Sequence, residues 1–209
     1  MKFIKHIFTL FMVTFFCSGA FAQINIGAQA SYFSMGSESI TSPGLGIRGE
    51  YGITEKAAFT ASINYYFGTE ENLSFTARSS TDQIEVPVTH NLSFLHASIG
   101  AKYYIAGNYE SNVGFYGLFG LGLMLAPSKL SYGDFDRSTY TLDEELGNET
   151  LQNFTINLGI GLEKNFESFA VFGEGRVALP ANEQNGQAIA FEIPTSTTLQ
   201  LGVRIPISQ

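Results

Sequence analysis

The sequence predicts an all-β protein, an eight-stranded antiparallel up-and-down transmembrane β-barrel. Three observations carry that expectation. Eight blocks of about ten residues alternate between apolar and polar positions, the signature of membrane strands. The connections between blocks are long and short in strict alternation. A leader of the secretory kind precedes the first block.

The leader is Met1 to Ala22. Lys2 and Lys5 give a basic start, Ile7 to Phe16 an apolar run, and Ala20-Phe21-Ala22 a small-x-small cleavage site. The run is shorter than the roughly 20 residues of a spanning helix. The expected division is therefore a signal peptide at 1–22 and one barrel domain at 23–209. Cys17 is the only cysteine, and Phe15-Phe16 before it do not suit a lipid-attachment signal. The mature chain then has no thiol, disulfide or cysteine metal site. Without Lys2 and Lys5 it carries nine basic and nineteen acidic residues, a net charge of −10. Nucleic-acid binding needs clustered Lys and Arg on phosphates, so that class is excluded.

The clearest strand is Ala57 to Phe67, with Phe59, Ala61, Ile63, Tyr65 and Phe67 on one face and Thr60, Ser62 and Asn64 on the other. Leu151 to Glu163 and Thr195 to Ile207 repeat the pattern, and Val113 to Leu125 sets Phe and Leu against Gly. Ile24 to Tyr32, Leu45 to Ile53, Leu95 to Ile105 and Phe169 to Leu179 complete the eight. Three connections are short: Thr54 to Lys56, Ala106 to Asn112 and Lys164 to Ser168. Four are long: Phe33 to Gly44, Gly68 to about Phe94, Ala126 to Thr150 and Pro180 to Pro194. Outer-membrane barrels have short periplasmic turns and long extracellular loops, which puts both termini in the periplasm. Leu73 to Arg78 and Ile84 to Val88 alternate again about Ser79 to Asp82, so a hairpin is expected to extend strands three and four. Ser128 to Tyr132 and Ser138 to Leu142 are candidates for a second such hairpin on strands five and six.

On the same alternation Arg48, Glu50, Lys102, Glu163, Glu174, Arg176 and Arg204 point inward. A charge facing lipid costs up to about 2–4 kcal/mol at mid-membrane, which favours the lumen. Eight strands leave an interior that side chains can fill. The seven groups are expected to pair and close it, the alternatives being a narrow ion path or a catalytic carboxylate among them. Gly27, Gly46, Gly100, Gly120, Gly122, Gly159, Gly161 and Gly202 share this face and make room for long side chains.

With these strands and the closing Gln200-Leu201-Gly202-Val203-Arg204-Ile205-Pro206-Ile207, the chain resembles the OmpA/OmpX-like outer membrane protein β-barrel family. The resemblance implies that Gln200, Gly202, Ile205 and Ile207 form the signal read by the barrel-assembly machinery. Many members end on Phe, whereas this chain ends Ile207-Ser208-Gln209. No peptidoglycan-binding domain is expected after the barrel, so the tethering role of some members is not implied.

His96-Ala97-Ser98 puts a base and a hydroxyl on one strand face, as in barrel-shaped lipid A deacylases. By alternation the pair points into the lumen, away from a lipid substrate, and a hydrogen-bonded interior His is expected instead. Asp134, Asp136, Asp143, Glu144, Glu145 and Glu149 lack the spacing of a Ca²⁺ loop and read as solvated. Neither cofactor nor metal is expected. The overall expectation is a non-enzymatic outer-membrane barrel with a lumen closed by charged side chains. Outer-membrane lipid, lipopolysaccharide and an extracellular partner at the loops are its expected contacts. A small channel and a lipid A-modifying enzyme are the alternatives.

Overall fold

The structure, a computed structural model, describes residues 23–36, 40–142, 147–181 and 195–208. The leader at 1–22, most of the Pro180 to Pro194 connection, and Asp143, Glu144 and Glu145 lie outside the described residues. The strands are β1 (Gln23–Met35), β2 (Ile40–Gly52), β3 (Ala57–Arg78), β4 (Gln83–Ala106), β5 (Val113–Tyr132), the two-residue β6 (Thr141–Leu142), β7 (Glu149–Asn165), β8 (Ala170–Pro180) and β9 (Ser196–Ser208). Every pairing is antiparallel. Sequential neighbours pair around the ring, β1 pairs with β9, and β2 pairs with β3, so the eight long strands close on themselves. Closure leaves the membrane-spanning backbone no open edge, as a lipid environment requires.

Alternation decides which face meets lipid. Along β1, Asn25, Gly27, Gln29, Ser31 and Phe33 are buried while Ile24, Ile26, Ala28, Ala30 and Tyr32 are exposed. In β9, Leu199 is 67% exposed and Leu201 71%, although Gln200 between them is 2% exposed. A soluble barrel would not present such side chains to water in a continuous belt. Outward aromatics bound the belt, with Phe59 and Tyr103 toward the short turns and Tyr32, Tyr65 and Phe67 toward the long connections. From Phe59 to Phe67 a strand rising about 3.3 Å per residue and tilted about 40° climbs roughly 20 Å, close to the apolar height of such barrels. Ile63 lies halfway between and faces outward. Ile63→Arg should therefore cost about 2–4 kcal/mol of stability, measured as a lowered urea midpoint of the barrel refolded in lipid vesicles.

The inward glycines accept bulky neighbours. Tyr116 stands opposite Gly161, Phe172 opposite Gly202 and Tyr66 opposite Gly44 in register, each ring occupying the space where a Cβ would sit.

The short turns fall at Ile53 to Lys56, Gly107 to Asn112 and Phe166 to Phe169. The long connections hold more strand than expected. Phe33 to Gly44 is mostly β1 and β2, because Phe33 and Met35 continue the inward alternation into an apolar cluster. β3 and β4 stay paired to Arg78 and Gln83, turning at Ser79 to Asp82, as the alternation there predicts. The second expected hairpin is different. Asp136 accepts hydrogen bonds from Ser138 and Thr139 and turns the chain. Among the described residues between this turn and β7, only Thr141 and Leu142 are strand, and they pair with Arg78 and Ala77 of β3 rather than with β5. The partner of β5 at that height is the start of β7, from Ser128 opposite Glu149.

Candidate functional site: a lumen filled in layers

At the short-turn end of the lumen, Glu50, Glu163 and Glu174 alternate in space with Arg48, Lys102, Arg176 and Arg204. All seven side chains are inward and nearly inaccessible, Arg176 being the most exposed at 11%. Arg48 bridges Glu50 at 2.9 Å and also pairs with Glu174. Lys102 Nζ lies 2.6 Å from Glu163 and 3.3 Å from Glu50. Arg204 reaches Glu163 at 2.7 Å, and Arg176 donates twice to one oxygen of Glu174, at 2.9 and 2.7 Å. Every carboxylate is thus shared by at least two cations. Such sharing offsets the several kcal/mol that each buried ion loses in desolvation.

Three tyrosines complete this layer, and the alternation argument missed them. Tyr104 donates to Glu163, Tyr109 to Glu50 at 3.0 Å, and Tyr116 to Glu174 at 2.8 Å. Their rings surround Lys102, whose Nζ is 4.1 Å from the centroid of Tyr116, 4.8 Å from Tyr104 and 5.2 Å from Tyr109. Cation–π attraction of this kind is worth about 2 kcal/mol when desolvated. Tyr104 and Tyr116 occupy inward strand positions that the same alternation would have identified. Tyr109 folds in from the β4–β5 turn, and no periodicity points to it.

Above the ions comes a neutral polar layer. Gln29 donates to Asn64 at 2.5 Å, Ser62 and Ser98 share a hydrogen bond at 2.9 Å, and His96 Nε2 lies 3.3 Å from Thr155. His96 and Ser98 therefore face the lumen and bond to separate partners. Elsewhere His90 Nε2 is 2.8 Å from Ser128 Oγ, and Ser128 is buried. The third layer, toward the long connections, is apolar. Phe33, Met35, Tyr66, Leu92, Phe94, Met124 and Ala126 form one cluster, with Ile40 and Leu151 packed against it. Phe33 packs against Tyr66 and Phe94 in tilted pairs at centroid distances of 4.7 and 4.9 Å.

Of the C-terminal positions, Gln200 is buried, Gly202 packs under Phe172, and Ile205 and Ile207 face outward on the strand that closes the ring with β1. Pro206 stands beside a register shift in the β1–β9 pairing, where a missing amide is tolerated. Among the described residues no three His, Cys, Asp or Glu side chains gather as metal ligands. The exposed Asp136 is occupied instead by the hydroxyls of Ser138 and Thr139, which hold its carboxyl down at about 2.

A closed ring with an apolar belt outside and a filled interior defines an integral membrane β-barrel. The profile of the family described as "Outer membrane protein beta-barrel domain" matches residues 8–203, and the chain belongs to that family. Solved barrels share its fold. Ail, the attachment invasion locus protein of Yersinia pestis, solved in complex with the heparin analogue sucrose octasulfate, is 14% identical with a TM-score of 0.50, covering 89% of this chain and 97% of its own. Neisserial surface protein A is 15% identical with a TM-score of 0.51 over 88% and 95%. A major outer membrane protein of Thermus thermophilus is 10% identical with a TM-score of 0.51 over 89% and 99%. No curated protein matches at the level of sequence.

Proposed function

We propose that the protein is a closed, non-conducting outer-membrane barrel that holds an acidic platform at the cell surface. The observation that carries this reading is where charge is balanced and where it is not. Six basic and six acidic residues lie in the barrel and its short turns, so that part of the mature chain is neutral. The net charge of −10 falls wholly in the four long connections. A barrel built to conduct would leave the lumen passable. Here an ionic layer and an apolar layer fill it in series.

In this reading the short turns and both termini face the periplasm, and the assembly machinery reads Gln200, Gly202, Ile205 and Ile207. Outer-membrane lipid and lipopolysaccharide surround the belt. The platform serves adhesion or envelope integrity through a partner at the loops. Ail binds a sulfated polyanion in its complex. The acidic connections of this chain would repel such a ligand and suit a cationic one.

The purified barrel in planar lipid bilayers should give no resolvable single-channel steps. On gels, the outer-membrane fraction should show different migration before and after boiling. Regular conductance steps would sink the closed-lumen reading. Recovery in the soluble periplasmic fraction with no heat shift would sink the membrane one.

A further inference from the structure

Two outward glycines have no packing reason inside the protein. Gly117 on β5 and Gly175 on β8 both lie in register with Ile160 of β7, one on each side of it. A Cβ at either would meet nothing nearer than 3.8 Å, the Cδ1 of Ile105 beside Gly117 and the Cδ2 of Leu199 beside Gly175. The inward Gly44, Gly161 and Gly202 differ, because rings of neighbouring strands fill their space. A glycine within a strand weakens it, and commonly marks a bulge, a bend or the close approach of a ligand. Both pairings of β8 run without a register shift, so no bulge explains Gly175. Gly117 and Gly175 line one hollow of about 520 Å³ on the outer face, together with Tyr103, Phe119 and Val177, and with Leu158 and Ile160 as the ridge between them.

Lys164 stands four residues past Ile160 on the same outward face, exposed and about 13 Å further along β7 at the usual rise of a strand. Among the described residues it is the one Lys or Arg at an outward strand position on the short-turn end of the barrel. Its Nζ is 5.3 Å from the ring centroid of Phe166, which stacks on Phe169 at 4.7 Å in the turn that follows. Exposed aromatic rings at a membrane rim mark the level of the lipid headgroups. Glu167 is exposed on the same turn. We infer that this face binds one phospholipid of the periplasmic leaflet, with a primary-amine headgroup. Its phosphate takes charge-assisted hydrogen bonds from Lys164, and its ammonium faces Glu167. Its two acyl chains pass on either side of Ile160, over Gly117 and over Gly175. A second copy of this chain does not fit. Copies related by a two-fold axis along the membrane normal present the same patch to each other, which would set Lys164 at the level of Lys164.

This inference rests on the membrane reading and on the short turns facing the periplasm. The chain has no Trp. Leu162→Trp, between Ile160 and Lys164, therefore gives a single fluorophore at the site, and Ile63→Trp gives one elsewhere on the belt. The full mature barrel in detergent micelles is titrated with phosphatidylethanolamine brominated on its acyl chains. Half-quenching in Leu162→Trp should need at least fivefold less lipid than in Ile63→Trp. Adding Lys164→Ala, or Gly117→Leu with Gly175→Leu, should remove that advantage and leave the heat shift intact. Adding Glu167→Gln should remove the preference over brominated phosphatidylcholine. Equal quenching at the two reporters would overturn the inference, as would an advantage that survives Lys164→Ala or the paired glycine replacements. So would a preference for the amine lipid that is absent from the start or that persists in Glu167→Gln. Self-association that shields Leu162→Trp before lipid is added would give the face to a second copy and also overturn it. A heat-shifted barrel without selective quenching overturns this inference alone; a chain that stays in solution without detergent and shows no heat shift overturns the membrane reading.

Discussion

Glu163→Gln should lower the free energy of unfolding by about 3–5 kcal/mol, the range for removing one partner from a buried ion pair. Glu163 holds Lys102 at 2.6 Å and Arg204 at 2.7 Å, and it accepts from Tyr104. The amide keeps the shape of the carboxylate and removes its charge. Both cations remain buried, and their other shared acceptor, Glu50, lies at 3.3 Å from Lys102 and 4.0 Å from Arg204. The reduced attraction cannot offset two desolvated cations. Urea titration of the refolded barrel, followed by the heat-shifted gel band, reads the effect. Charge rather than shape is tested by a second variant, Glu163→Gln with Lys102→Met, which removes one of the stranded cations. It should recover at least half of the loss. Equal losses in the two variants would mean that the layer is held by packing and not by charge balance.

The barrel was legible in the sequence because the membrane imposes a hard rule. A residue on a spanning strand faces lipid or lumen, with period two, and lipid tolerates no charge without cost. Ile63, Leu158 and Leu201 had to be outward, and Arg48, Lys102 and Glu174 inward, for any register that closed. The same rule weakens above the membrane, where water accepts both faces. Phe33 to Gly44 therefore read as a loop although Phe33 and Met35 continue the strand. The same loss of constraint hid the pairing of β6 with β3. Two residues carry no period, and what places them is the turn built on Asp136. Within the lumen, alternation identified which charges point inward but not which of them meet or how each carboxylate is shared. The tyrosine layer shows the limit. Tyr104 and Tyr116 sit in phase with Lys102 and Gly114, yet only the closed ring shows that their hydroxyls reach Glu163 and Glu174. The apolar cluster was also missed, because inward-facing Phe33, Phe94 and Met124 come from three strands that are distant in sequence.

Phe94→Ala should cost about 3–5 kcal/mol, the usual loss on truncating a buried aromatic ring. Phe94 is wholly buried, packs on Phe33, and belongs to the cluster that fills the lumen toward the long connections. The neighbouring strands are held by ring closure and cannot collapse far into the void, which puts the loss toward the upper part of that range. Phe94→Leu, which keeps most of the volume, should lose less than half as much. On β4, Phe94 and Lys102 are eight residues apart, roughly 26 Å along a strand. Effects at that separation should add. Phe94→Ala with Glu163→Gln should then equal the sum of the two single losses to within about 0.5 kcal/mol. Conductance gives a second reading of the same arrangement. If the lumen is closed as proposed, by two barriers in series that each block ions, neither single variant should open it, and any channel activity should be confined to the double variant. Steps in Phe94→Ala alone would place the whole barrier in the apolar layer and leave the ionic layer a structural role only. Steps in Glu163→Gln alone would assign the seal to the ions and show that the aromatic cluster yields to permeating water.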